Sequence, residues 1–328
     1  MAHEIATAAD GRAAMLYTGE PPWHGLGTRL DNPATAAEAI VAAGLDYQVE
    51  LTRLTTIDGI PVPQRVAVVR SDTQDVLGVV SPAYVPVQNR QAFGFLDAIA
   101  AEGGIRYHTA GALRRGERIW LLGKLPGEIR ARGSDDVTEK YLLLSNSHDG
   151  SSALRVYFTP IRVVCANTLA AAERASKGEG IAIRHRGNLA YKVRAAQEVL
   201  GLAVRYYDDL EGQIDLFAGH YPTSAQLESY FKSLYPDPTE GSPSRARHAR
   251  EALYTLFEQG MGNDLPAIRH STWAAFNAVT EFIDHRRSGR GQDADDRASS
   301  RLESAWFGSG AALKARAFDL ALVMATNN

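Results

Sequence analysis

Up to about residue 165 stretches of period-two alternation outnumber helical ones, and from about residue 168 the apolar residues recur at helical spacing. That change of period limits the folds open to the chain more than any other feature. The stretches 47–57 (YQVELTRLTTI), 64–70 (QRVAVVR) and 76–80 (VLGVV) read as strands, the last two an antiparallel pair across a polar turn at Asp72. Strands also fit 105–113, 119–122, 142–144 and 156–158. Among them Asn32 and Thr35 precede a short helix over 36–43 that Gly44 would close, and Asn89 is placed to cap a helix bearing Phe93, Leu96 and Ile99. After a short strand near 181–183, helices are expected over 189–216, 221–235, 246–258, 271–285 and 310–324. Strands first and helices later predict an α+β fold rather than alternating βαβ units. The sheet should be largely antiparallel and lie in the N-terminal half with helices packed on it, and the C-terminal third should be mostly helical. The domains expected are an α+β core over 1–216 with an N-terminal arm, and a helical region over 217–328. The stripe Val193, Ala196, Val199, Leu200, Ala203, Val204 and Tyr207 needs a partner, which favours one shared core.

The 45% apolar and 22% charged residues are those of an ordinary soluble protein, and no run reaches the roughly 18 apolar residues of a membrane span. The start, MAHEIATAADGRAAM, lacks the basic and apolar regions of a signal peptide, so a cytoplasmic location without membrane attachment is expected. A single cysteine excludes an internal disulfide framework and a multi-cysteine zinc site. The net charge of −3 excludes a globally basic nucleic-acid binder but hides an asymmetry. Basic against acidic residues number 6 and 11 over 1–100, 16 and 10 over 101–200, and 13 and 17 over 201–328. A basic middle segment is what an anion-binding face requires, and a solvated sheet surface would have the same composition.

That middle segment holds the richest polar cluster, YLLLSNSHDGSSALRVYFTPIRVVCANTL over 141–169, which reads as a hairpin with its tip at 145–152. Asn146, His148 and Asp149 lie in the tip, with Arg155, Arg162 and Asn167 following, and Arg114 and Arg118 flank an earlier turn. These eight are the candidate ligand or nucleic-acid contacts. Arg155 and Arg162 could hold phosphate bidentately, and Tyr107, Trp120, Tyr141 and Tyr157 could stack on bases or fill the core. Period-2 alternation puts Arg155 on the face opposite Val156 and Phe158, open to an anion unless Asp149 captures it in a turn clamp. Cys165 and His148 could pair as nucleophile and base, but a lone cysteine between Val164 and Ala166 is usually a small buried hydrophobe. Ser147, His148 and Asp149 are adjacent, which is the wrong arrangement for a catalytic relay. The nine histidines are scattered, and phosphate-loop and dinucleotide fingerprints are absent, so no catalytic residue, metal or cofactor is expected. Trp23 and His24 fit an aromatic anchor for the N-terminal arm.

The SHDGS and TP-R-VC-NTL motifs, with PPWHGLGT, YVPVQNRQAF and GALRRGERIW, resemble the phage/plasmid-like protein family catalogued as a domain of unknown function. The likeness covers roughly residues 15–325 and implies carriage on bacterial phages, plasmids and other mobile elements, with no established activity. In the order of its elements alone the chain is also similar to the phage single-strand annealing proteins, which form oligomeric rings with a basic groove for single-stranded DNA. The function expected is therefore non-enzymatic binding or annealing of single-stranded nucleic acid by a homo-oligomer. The alternatives are a small-molecule or nucleotide enzyme using the SHDGS loop and Cys165, and a structural or host-interaction protein whose polar motif locks a hairpin.

Overall fold

A computed structural model describes residues 5–19, 26–100, 105–162, 167–168, 181–183, 189–239, 242–287, 304 and 308–327, with backbone alone at 100, 162, 167–168, 181–183 and 189–197. Trp23, His24, Cys165 and residues 169–180 and 288–303 lie outside the described residues. In chain order the strands are β1 (Met15–Thr18), β2 (Thr28–Leu30), β3 (Val49–Thr55), β4 (Pro61–Arg70), β5 (Val76–Val80), β6 (Arg106–Leu113), β7 (Arg118–Arg130), β8 (Val137–Ser147), β9 (Leu154–Phe158), β10 (Ile161–Arg162), β11 (Asn167–Thr168) and β12 (Ile181–Ile183). The helices are α1 (Ala36–Ala42), α2 (Asn89–Ala100), α3 (Leu189–Gly219), α4 (Ser224–Leu234), α5 (Ser244–Gln259), α6 (Thr272–Glu281) and α7 (Ser309–Thr326). The fold is α+β, with its sheets in the N-terminal half and helices in the C-terminal part, as the change of period predicts.

The chain divides into two compact units, one of Met1–Pro126, Tyr141–Tyr157 and Glu179–Leu202, the other of Gly127–Lys140, Phe158–Gly178 and Ala203–Asn328. In the first unit the strand order is β2-β1-β6-β7-β8, with β9 on β8 and β12 on β9. Pairing is antiparallel for β1 with β6, β6 with β7 and β9 with β12, and parallel for β1 with β2. Neither β1 nor β2 was legible in the sequence, because each is three or four residues long without alternation. Gly111 stands opposite Trp120, and a Cβ there would run into the indole ring. α2 is tied to β6 by Tyr107, whose hydroxyl donates to Asp97 Oδ1 at 2.9 Å. Of the two polar residues before α1, Thr35 and not Asn32 is the cap, in a reciprocal box with Glu38.

The strands expected over 47–57, 64–70 and 76–80 form a separate three-stranded sheet of order β3-β4-β5, antiparallel throughout. Its register runs from Val49↔Arg70 to Arg53↔Val66, then jumps to Thr55↔Pro61, so residues 62–65 bulge and Gln64 takes a φ of 59°. Beyond that jump β4 has lost β5, and both strands of the β3–β4 ribbon are largely exposed. Ile57 at its tip is fully exposed and Ile60 is 61% exposed.

The second unit is built on α6, every residue of which is buried. Phe276 packs against Phe318 at 5.4 Å between ring centroids, and Phe217 closes the aromatic group against Phe318 at 5.0 Å. The Trp273 indole donates to the buried Asp136 carboxylate at 2.5 Å. The helix expected over 271–285 ends instead in a π-helical turn, Phe282–Arg286, which turns Asp284 onto the fully buried Lys314 of α7 at 2.8 Å. Along α3, Val199, Ala203 and Tyr207 are buried, as the stripe predicts, but Val204 is exposed. Among the described residues no helix is long and apolar enough to cross a membrane. Lys314→Ala would leave the Asp284 carboxylate buried without its cation, so denaturant unfolding should show a loss of about 3–5 kcal/mol, and Lys314→Met combined with Asp284→Leu a much smaller one.

Candidate functional site

The polar motif of the sequence starts inside a strand. β8 runs through Ser147, so Ser145 and Asn146 are strand residues rather than loop tip, and the loop is confined to residues 148–153. From Ser145 through His148 the chain is buried, with Asn146 1% and His148 0% exposed. Burial on this scale demands partners for the polar groups. Asn146 Nδ2 donates to Val87 O at 3.4 Å, the Tyr84 hydroxyl donates to Ser147 O at 3.2 Å, and the His148 amide donates to Glu117 O at 2.7 Å.

The imidazole of His148 meets the side chain of Asn89, with Nε2 2.8 Å from Oδ1. Asn89 Nδ2 donates to Leu45 O at 2.9 Å, which fixes the amide orientation and leaves Oδ1 as the acceptor. His148 is thereby assigned as the tautomer protonated on Nε2. Its Nδ1 lone pair is buried and has no hydrogen-bond partner among the described residues. Burial pushes the His148 pKa down to about 4, against the pull of the Asp149 carboxylate and with help from the nearby Arg70 cation. The imidazole is therefore neutral at physiological pH. Asn89 is the first residue of α2, and its side chain is spent on this bridge instead of the helix cap expected of it; Gln91 Oε1 accepts from the Gln88 amide in its place.

Below the histidine lies a second layer. The Tyr47 ring stands edge-on to His148 at 6.3 Å, and the Arg70 guanidinium lies 4.0 Å from the centroid of the same ring. Arg70 is fully buried, binds Asp72 bidentately at 2.9 and 2.7 Å, and donates from Nη1 to Arg115 O at 2.8 Å and Thr7 O at 3.3 Å. Burial drives the Tyr47 phenol up to about 12, so it stays a donor, and it donates to Gly116 O at 3.3 Å. Gly116 has a φ of 109°, and a Cβ there would stand 2.8 Å from that phenol oxygen. Gly78 of β5 lets the loop approach, since a Cβ on it would fall 2.6 Å from Asp149 Cα.

Asp149 accepts from the Ser147 hydroxyl and, at 2.8 Å, from the Ser151 amide, closing the loop on itself. Burial pushes its carboxyl up, but the Ser147 and Ser151 hydrogen bonds and the Arg118 cation outweigh this and hold it below the usual range. Asn146, His148, Asp149 and Arg118 are thus brought together. Arg114 is exposed at the neighbouring turn and pairs with Glu117 at 3.3 Å. Arg155 lies in β9 opposite Ala182, half-buried, between the buried Leu154 and Val156, in the alternation expected of it. Arg162 and Asn167 face each other as backbone partners of β10 and β11 in the second unit, and their side chains lie outside the described residues. Of the aromatic residues considered for stacking, Tyr107, Trp120 and Tyr141 are buried. Among the described residues no three His, Cys, Asp or Glu side chains are grouped to hold a metal. The sequence reading missed Tyr47, Arg70 and Asn89, although Arg70 followed two residues later by Asp72 was a signal that a buried strand end carries a compensated charge.

Residues 76–306 match the sequence model of the family described as Domain of unknown function (DUF932), and the chain belongs to that family. The match begins at β5 and takes in the whole loop, while the β3–β4 ribbon precedes it. No curated protein and no solved structure gives a significant match.

The depressed His148 pKa has a definite sign. As pH falls below the ordinary value of 6.5 the unfolded chain takes up the proton first, and the folded chain takes it only near 4. Stability should be full above pH 6.5 and fall between 6.5 and 4, by on the order of 3 kcal/mol from this residue. Urea unfolding from pH 7 to 4 checks it, and His148→Gln, which keeps a donor for Asn89, should lose that part of the slope.

Proposed function

We propose that the protein binds single-stranded nucleic acid without catalysing a reaction, as a binding or annealing protein of a phage, plasmid or other mobile element. The observation that carries this reading is the β3–β4 ribbon. Arg53 and Arg65 are exposed on it and have no hydrogen bond or ion pair among the described residues, and its tip presents Ile57 and Ile60 to solvent. Unpaired guanidinium groups suit phosphate, and apolar residues at the end of a projecting element are used by nucleic-acid binders to wedge between bases. The excess of basic residues over 101–200 supports the same reading, as does the resemblance to the phage/plasmid-like family. With Tyr107, Trp120 and Tyr141 in the core, these rings are not open to bases, and binding rests on the arginines and the apolar tip of the ribbon. Annealing and assembly into a homo-oligomer rest on the similarity in element order to the annealing proteins. Binding is favoured over the enzyme reading because His148 is fully buried and neutral.

Titration of a labelled single-stranded oligonucleotide at 50 and 200 mM salt tests the proposal. Affinity should fall steeply with salt, and Arg53→Gln with Arg65→Gln should weaken binding and flatten the log–log salt slope by about 1.4, two phosphate contacts at roughly 0.7 each. Absence of binding at the lower salt would sink the reading.

A further inference from the structure

The three-stranded sheet of the first unit ends on two very different edges. On one, β4 carries Pro61 and Pro63 where it has lost β5, and neither proline has an N–H to offer a further strand. On the other, β3 pairs with β4 alone. The Ser71 amide donates to Gln48 O at 2.9 Å, so by alternation Gln48, Glu50 and Thr52 turn their peptide groups toward β4, and Val49, Leu51, Arg53 and Thr55 turn theirs outward.

Val49 shows what that edge accepts. The Gln88 side chain takes both of its outward groups, with Oε1 accepting from Val49 N at 3.0 Å and Nε2 donating to Val49 O at 2.9 Å. A carboxamide there does what the peptide group of a further strand would do. Leu51, Arg53 and Thr55 continue the edge without such a partner among the described residues, and all three are exposed. N–H and C=O groups repeating at strand spacing match one class of ligand, an extended polypeptide.

A second copy of the same edge is a poor occupant. Two-fold pairing of β3 with β3 is antiparallel, and every register that uses more than one open residue sets the two Arg53 side chains opposite or diagonal, about 5–8 Å apart. Arg53 calls instead for a carboxylate across from it, since it has no ion pair among the described residues and Glu50 alternates to the other face.

We propose that β3 is the docking edge for an extended acidic segment of another protein, added antiparallel along 51–55 with a carboxylate opposite Arg53. The inference goes beyond the single-strand reading; it shares Arg53 with that reading, but the backbone edge is its own. The test is nuclear magnetic resonance of the full nitrogen-15-labelled chain, titrated with the synthetic peptide Ac-TTVETVT-amide, whose glutamate falls opposite Arg53. Bound peptide shifts the amide signals of Leu51, Arg53 and Thr55 and slows their hydrogen exchange about tenfold or more, while those of Glu50 and Thr52, already turned to β4, change little. Leu51→Pro removes one outward N–H and weakens the peptide about tenfold, with single-strand affinity unchanged. Arg53→Glu loses this peptide and takes the one with arginine in place of its glutamate. If Leu51→Pro does not fold, the peptide N-methylated at its glutamate and at the residues two before and two after it carries the test, because it cannot bond to the edge. Outward amides that neither shift nor gain protection with the peptide, or an N-methylated peptide that binds as well as its parent, overturn the proposal.

Discussion

The hydrogen bond between His148 and Asn89 is the contact on which the first unit depends. Asn89 joins segments 59 and 44 residues away, since its carbonyl oxygen serves His148 and its amide nitrogen serves Leu45 O. One fully buried side chain therefore fixes the loop after β8, the start of α2 and the chain leading into β3. Such a junction works only with a neutral imidazole, because a charged ring at this depth would have to be desolvated beside the Arg70 cation. The same burial that lowers the basicity of His148 makes its place specific, since no water can substitute for Asn89 there.

Arg70 extends this logic to a full charge. A cation with no exposure is tolerable only if every face of the guanidinium is used, and here Asp72 takes two nitrogens, two backbone carbonyls take the third, and the Tyr47 ring covers one face. The positive φ of Gly116 brings the turn after β6 close enough to supply one of those carbonyls. Layered in this way, the conspicuous polar motif is the fastening of a loop. Arg53 and Arg65, which have no hydrogen bond or ion pair among the described residues, lie instead on the ribbon, where the sequence showed only alternating strands.

Much of the fold could be read from the sequence because period and capping are local. β5 was read to the residue, α3 and α7 nearly so, and Thr35 and Gly44 mark the ends of α1 as side-chain chemistry requires. What stayed hidden is non-local. Asn89 before an apolar stripe has the local look of a cap, and only the approach of His148 from far along the chain diverts it. Asn146 and Ser147 look like turn formers, yet their partners are Val87 and Tyr84, far back along the chain, and the strand continues through them. The pairing of β1 with β2 in parallel depends on a crossing that no three-residue run can announce.

The account makes one state of one side chain central: a neutral His148 protonated on Nε2 and held by Asn89. Nitrogen-15 spectroscopy of the histidine rings across pH 5 to 8 measures this directly. The predicted spectrum for His148 has a protonated Nε2 and a bare Nδ1, unchanged over the whole range. A ring that titrates near pH 6.5, or one carrying its proton on Nδ1, would contradict the account.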